Sequence, residues 1–459
     1  MRELIVIGGS DAGVSAALRA KELAPTTKVT VVVADRYPNF SICGLPFYLS
    51  GEVPDWHTLA HRTTLDIENE GVRLLLDHSA TSIDPVRKTV LVGSPSQELR
   101  ELAYDRLIIA TGAQSIRPNI DGIELPGVFL LRWMDEAFAI EQFIRERQPH
   151  SAIIVGAGYI GMEMADALTY RGMDVTVVEF LDSVLTTVDR EFGERIEAQL
   201  KGRGVKVNTG ITVSGIVEAG GQLVVNGSNG FSALADMVLV AVGAKPRTEL
   251  ALSAGIETGF KGAVKVDRNM LTNVADIYAA GDCVETWHRL LKQNTYLPLG
   301  TTAHKQGRVA GENAVGGSRQ FQGSLGTQAV KIFDLVVART GLRDSEAVLA
   351  GLDPLTVEFE SWDHKAYYPG AQKLWIRLTG SQSSGHLLGA QMLGHRQSEV
   401  SKRIDVFASA IYNDMRIDDL NDLDLSYTPP LSSPWDSIQM SAQAWTREIS
   451  APGSRRKMN

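Results

Sequence analysis

Two cysteines, Cys43 and Cys283, are the only thiols in the 459-residue chain. A thiolate is a strong nucleophile: it can form a mixed disulfide, carry a persulfide or be oxidised to sulfenic acid. Cys43 lies in Ile42-Cys43-Gly44-Leu45-Pro46. Glycine followed by proline fits a turn that opens a helix, with Pro46 in its first turn. A sulfur at such a helix start is expected to gain stabilisation as thiolate. Cys283 follows Gly281-Asp282 and reads as a small buried residue. Two cysteines cannot staple a chain this long, and a reducing compartment suits them better.

A second chemistry is written in glycines. Residues 3–15 read ELIVIGGSDAGVS, and residues 151–165 repeat that grammar as SAIIVGAGYIGMEMA. Each is an apolar run, a glycine turn and a helix-like stretch. Such a turn brings the backbone close to a pyrophosphate, which rests on the positive helix N-terminus. Gly156, Gly158 and Gly161 complete G-x-G-x-x-G. Gly8, Gly9 and Gly13 flank Ser10, which stands where the middle glycine would be. The acid expected on the ribose is Glu179 in the second unit, at the end of VTVVEF. In the first it is Asp35, at the end of VTVVVAD. Glu179 would bond a free ribose 2′-hydroxyl and repel a 2′-phosphate, so NADH is favoured, with NADPH possible. A hydride donor paired with a bound flavin is the chemical reason for two such sites, so FAD is the second cofactor expected. No metal site is expected.

These residues need strands and helices to hold them. Further buried-type strands close on Thr111-Gly112, on Gly243 and on Gly281-Asp282. From about residue 325 strand-like and helical segments alternate in a different pattern. The expected fold is therefore α/β: two Rossmann-like dinucleotide-binding domains plus a C-terminal α+β domain. Residues 1–115 and 245–325 form a split first domain, 116–244 the second and 326–445 the third, with 446–459 read as a disordered tail. Net charge is -9, which excludes the basic footprint of a nucleic-acid binder. No apolar run is long enough for a bilayer and no signal peptide is visible, so a cytoplasmic location is expected.

The order GGSDAG, NFSICGLPFY, ATG, GAGYIGME and AAGDC resembles the pyridine-nucleotide–disulfide oxidoreductases over nearly the whole chain. More narrowly it resembles their single-cysteine branch: CoA-disulfide reductase, CoA-persulfide or polysulfide reductase, and NADH oxidase or peroxidase. AYYPGA, GAQMLG, KRIDVFASAI and LDLSYTPPLSSPWD are similar to that branch's dimerisation domain, which implies a homodimer. The resemblance implies that Asp282, with Gly281, contacts the flavin and that Thr111-Gly112 marks the crossing beside it. It implies that Tyr159 covers the flavin until nicotinamide arrives. Tyr427 and one of Tyr367 and Tyr368 match positions that reach the active site from a partner subunit. Two-cysteine relatives carry a second cysteine where this chain has Tyr48, and a C-terminal histidine–glutamate base that is absent here. Cys43 thus needs an external sulfur partner. Peroxidase and oxidase members carry a histidine where this chain has Asp11, which shifts the balance from peroxide to sulfur.

Two departures stand out. Ile42 replaces an asparagine, and the connection from Asp35 to Cys43 looks about two residues short. Arg19, Lys21, Arg62 and Arg73 suit either an anionic substrate tail or solvated surface. The expected function is NAD(P)H-to-FAD-to-Cys43 reduction of a low-molecular-weight disulfide or persulfide, possible CoA-linked substrates included. The alternatives are an NADH oxidase working through a Cys43 sulfenate and a non-catalytic redox-sensing flavoprotein.

Overall fold

The computed structural model describes residues 2–94 and 97–451. Its first sheet has five parallel strands. Their spatial order is Ile277–Ala279, Arg106–Ile109, Glu3–Ile7, Lys28–Val32 and Val72–Leu75. The strand Glu3–Ile7 is central and apolar because helices cover both faces of a parallel sheet. Its edge strand comes from residues 277–279, so the chain leaves this domain and returns to complete it. The excursion builds a second parallel sheet, ordered Lys206–Asn208, Asp174–Val178, Ser151–Val155, Met237–Val240 and Val128–Leu130. Ala113–Ser115 on the outward path pairs antiparallel with Ala244–Pro246 on the return.

The third sheet is antiparallel, from Gln328–Ile332 to Pro354–Trp362 at its edges. Helices Val400–Tyr412 and Ser437–Ser450 pack into its core through Phe407, Ile411, Ala442 and Trp445. The second of these helices corrects the sequence reading, which placed a tail from residue 446. Asp436 caps it by accepting from the Ile438 N–H, and Trp445 is buried with its indole donating to the Leu355 carbonyl at 2.8 Å. Residues 446–450 are held by that anchor; residues 452–459 lie outside the described residues.

The helix after the first glycine turn, Asp11–Leu23, packs against the returning helix Gly300–Ala314. A Cβ added to Gly307 would stand 2.2 Å from the Ala12 carbonyl oxygen, and one on Gly311 would stand 2.1 Å from that of Ala16. The two backbones therefore touch along Ala12/Ala16 and Gly307/Gly311, one helical turn apart. We expect Gly307→Ala to lower the unfolding free energy by about 1–3 kcal/mol through overpacking, read as a lower denaturation midpoint. Lys305→Ala, on the exposed side of the same helix, should leave that midpoint nearly unchanged.

Candidate active site

The two glycine turns have the same backbone. Gly8 and Gly156 take φ of 118° and 106°, values that an L side chain rarely adopts. Ser10 at φ -91° and ψ -162° matches Gly158 at φ -78° and ψ -167°. That conformation is ordinary for any residue, which is why serine is tolerated there. A Cβ on Gly13 would meet the Gly8 oxygen at 1.9 Å, and one on Gly161 the Gly156 oxygen at 2.0 Å. Both helices thus start flush against their strands. Space lies open beside Gly158, where a Cβ would meet nothing within 4 Å. Both turns present a helix N-terminus with room for a pyrophosphate.

The acids differ. Glu179 accepts from the Ala157 N–H at 2.6 Å and the Leu181 N–H at 2.9 Å. It braces its own glycine turn and keeps lone pairs for a ribose hydroxyl. The backbone bond from the Glu179 N–H to Asn208 is matched in the first unit by that from Val33 to Leu75. The counterpart of Glu179 is therefore Val33, whose side chain packs over Gly9. Asp35 lies two residues further on and accepts from the Tyr37 N–H at 2.8 Å. Burial raises its pKa, and the charges of Asp135 and Asp77 add to that. The apparent two-residue shortening before Cys43 disappears once Val33 is counted as the strand-end position.

Cys43 occupies a single turn of 3-10 helix, Ile42–Gly44, before the six-residue helix Leu45–Ser50. That helix packs against Tyr159–Tyr170, the helix of the second glycine turn, through Leu45 and Leu49. Cys43 is exposed, yet enough protein surrounds its sulfur to strip hydration from it. Lost hydration is the main reason its pKa is raised; Glu163, Asp11 and Asp282 raise it further, and Arg132 opposes them. Burial first, and then three carboxylates, oppose the thiolate that the helix start was expected to favour. Cys283 is fully buried, its Sγ 3.4 Å from the Ala280 oxygen, and burial raises its pKa as well.

Asp282 is set by Gly281, whose φ is 88° and whose added Cβ would stand 2.8 Å from that of Ala12. The turn therefore presses Asp282 against the first glycine turn. Arg132 donates to Asp282 at 2.6 Å and to the Ala113 carbonyl at 3.0 Å. Burial still leaves the Asp282 pKa raised. Arg132 was missed from sequence, since its value depends on a carboxylate 150 positions away. Thr111 donates to the Arg247 carbonyl at 2.6 Å, and the Arg247 N–H donates to that of Gly112. These bonds, with Gly243 at φ 113°, place the two crossing segments side by side.

Tyr159 opens its helix half-buried, and burial raises its phenol pKa. The loop beside it is held from the C-terminal domain. Arg339 donates to the Thr187 carbonyl and Arg343 to that of Thr186, both at 2.7 Å. Arg339 is anchored by Glu346 at 2.6 Å, whose pKa falls to about 2 despite burial because of that bond and charge. Tyr367 and Tyr427 stand exposed on the C-terminal domain. The charged groups felt at Cys43 within one chain come from other segments.

The family pattern described as pyridine nucleotide-disulphide oxidoreductase matches residues 2–307, and its dimerisation domain matches residues 327–437. The chain belongs to that family. A CoA-dependent NAD(P)H sulfur oxidoreductase of Pyrococcus furiosus is 32% identical over 446 residues, covering 95% of this chain and 97% of that one. A coenzyme A disulfide reductase of Staphylococcus haemolyticus is 31% identical over 444 residues, covering 96% and 98%. The structure of an NAD-dependent persulfide reductase from A. fulgidus superposes with a TM-score of 0.93 at 39% identity, covering 97% of this chain and 83% of that one. Family membership brings FAD and NAD(P)H as cofactors, for which the two turns are built.

Glu163, one turn after Tyr159 in this family member, was not singled out from sequence. Burial raises its pKa to about 7, with Asp166 adding to the rise and Lys331 opposing it. A carboxyl with a raised folded pKa stabilises fully below the unfolded value near 4.5, and that contribution is lost as pH climbs through about 7. Glu163→Gln should therefore match the parent protein near pH 5. Near pH 8.5 it should be more stable by up to roughly 3 kcal/mol. Urea denaturation at the two pH values measures this; a gain of equal size at both would rule it out.

Proposed function

We propose that the chain is an NADH-dependent reductase of low-molecular-weight disulfides or persulfides, CoA-linked ones included, in which Cys43 is the attacking sulfur. The observation that carries this reading is the exposed Cys43 thiol, in a segment bonded to the first glycine turn through Asn39 and Gly9 and followed by a helix packed on that of the second, while Cys283 is sealed in the core. Bound flavin supplies a two-electron relay between nicotinamide and sulfur. The rest is the work of the chain. The turn Gly8–Gly13, with Ser10 at its helix start, holds one pyrophosphate, and Gly281-Asp282 and Thr111-Gly112 flank the same pocket. The turn Gly156–Gly161 holds the nicotinamide dinucleotide, with Glu179 on its ribose and Tyr159 over the path between the two. Asp35 lies two residues beyond Val33, which cannot accept a hydrogen bond through its side chain.

The overall balance is NADH, a proton and R–S–S–R′ giving NAD⁺, R–SH and R′–SH. With a persulfide, R–S–SH, the second product is hydrogen sulfide. Both need an external sulfur compound, because the other thiol of the chain, Cys283, is sealed in the core.

A homodimer fits the C-terminal domain. The Lys365 N–H donates to the Pro429 carbonyl, and Arg403 donates to the carbonyls of Asp363 and Leu431. These bonds draw together two segments that leave Trp362, Tyr367, Tyr427 and Trp435 exposed, Tyr367 at 74%. Large aromatics on one face suit a buried partner surface. Tyr367 and Tyr427 would then serve the partner's Cys43 rather than their own.

The test is NADH consumption with CoA disulfide, CoA persulfide, polysulfide, peroxide and oxygen as acceptors. Turnover should be highest with the sulfur compounds, and Cys43→Ser should bring it to background while NADH still bleaches the flavin. Retained sulfur-dependent turnover in Cys43→Ser would sink the reading. Glu179→Ala should raise KM for NADH about 10-fold or more, the worth of a charged hydrogen bond. The same substitution should narrow the preference for NADH over NADPH, seen by comparing kcat/KM for the two.

A further inference from the structure

The close contact of the two helices has a chemical result. With Gly307 against Ala12 and Gly311 against Ala16, His304 is carried over the start of the first helix. Its Nδ1 lies 2.8 Å from the Ser15 hydroxyl, and its Nε2 lies 3.4 Å from Asp11 Oδ1. Asp11 Oδ1 is buried and makes no hydrogen bond. A carboxylate placed only to cap its helix would spend that oxygen on a backbone N–H. His61 flanks His304 with ring centroids 6.3 Å apart. The charge of Asp11 is felt at both Cys43 and Asp282. Burial raises the Asp11 pKa, while His304 and His61 pull it down. The Asn39 N–H donates to the Gly9 carbonyl at 2.7 Å and the His61 N–H to the Asn39 carbonyl at 2.9 Å, so the segment that leads into Cys43 is tied to the turn that carries Asp11 and to the histidine that flanks His304.

Sulfur chemistry needs a proton there. When a thiolate opens a disulfide, the departing sulfur leaves as an anion, and leaving is slow when its thiol is a weak acid. The site around Cys43 is already crowded with Glu163, Asp11 and Asp282, offset by Arg132. A second sulfur anion is poorly tolerated in such surroundings unless it is protonated as it forms.

We propose that Asp11 and His304 form a proton-donating pair that protonates the sulfur leaving from Cys43. The inference rests on the reading that Cys43 attacks a disulfide or persulfide. In the step, Cys43 thiolate forms a new S–S bond to the near sulfur of R–S–S–R′. The old S–S bond breaks, its electron pair departs on R′–S⁻, and that anion takes the proton held by the pair. The products are Cys43–S–S–R and R′–SH, with no net oxidation. His304 is 41% exposed, so solvent can return the proton. The Ser15 hydroxyl accepts from or donates to Nδ1 and holds the ring toward Asp11 in either tautomer.

The test compares two disulfides on the purified flavin-loaded enzyme. CoA disulfide releases a weakly acidic alkyl thiol and needs the proton. The aryl disulfide of nitrothiobenzoate releases a strongly acidic thiol and does not. Asp11→Asn and His304→Gln should each lower kcat/KM for CoA disulfide by about 10²-fold, a usual worth of general acid catalysis. The aryl disulfide should be turned over at nearly the parent rate. Independently of turnover, Asp11→Asn should speed alkylation of Cys43 by iodoacetamide at a given pH, because one opposing negative charge is gone. Two variants are used so that failure of one to fold leaves the other, and the flavin absorbance spectrum certifies each. Equal losses on both disulfides would overturn the proposal in favour of a structural role, and so would no loss on either. A parent enzyme inactive on both disulfides would overturn this inference, and one inactive on CoA persulfide and polysulfide as well would overturn the functional reading.

Discussion

The site depends on one steric constraint: two helices far apart in sequence meet without side chains between them. Gly307 and Gly311 lie so near Ala12 and Ala16 that any added carbon would collide with backbone oxygen. Close-packed interiors leave no room to absorb such a collision. The contact closes the split first domain, since one helix follows its first strand and the other follows its last. It also sets distances for chemistry. Gly281 approaches the same Ala12, so Asp282, Asp11 and His304 all take their positions from one seam.

Electrostatics around Cys43 follow from that assembly. Asp11 comes from the first helix, Asp282 from the returning strand and Glu163 from the second glycine-turn helix. Arg132 comes from the turn between the second sheet's edge strand Val128–Leu130 and the helix Met134–Arg147. Each is unremarkable alone. Together with burial they hold the thiol pKa up. A matching division of labour holds the second glycine turn, where the partly buried Arg339–Glu346 pair reaches from the C-terminal domain to the loop beside Tyr159. Such a pair is costly to break, because one partner would be left charged and unpaired.

Where sequence and structure part, the reason is physical. The acid at Asp35 was chosen by its distance from the glycine turn, but strand register decides which residue faces that turn, and register puts Val33 there. The last helix was cut short because the segment around Thr446 has weak apolar periodicity. Its final turn is ordered by Trp445 docking on Leu355. The thiolate expected from a helix start is opposed by burial of the sulfur and then by carboxylates from three other segments, beside a helix only six residues long.

The sequence by itself determined the two βαβ units, the glycine turns, the placement of Cys43 at a helix start and the changed character of the C-terminal region. All of these are local: a strand, a turn and a helix lie within about twenty residues, and apolar spacing and glycine placement encode them directly. Tertiary structure alone decided what surrounds Cys43, which acid faces which turn, and that His304 meets Asp11 across 293 residues. Pairing over such separations depends on strand register and on the absence of a Cβ at two helix positions. A pKa sums charges over space, and neighbours in space cannot be counted along a chain.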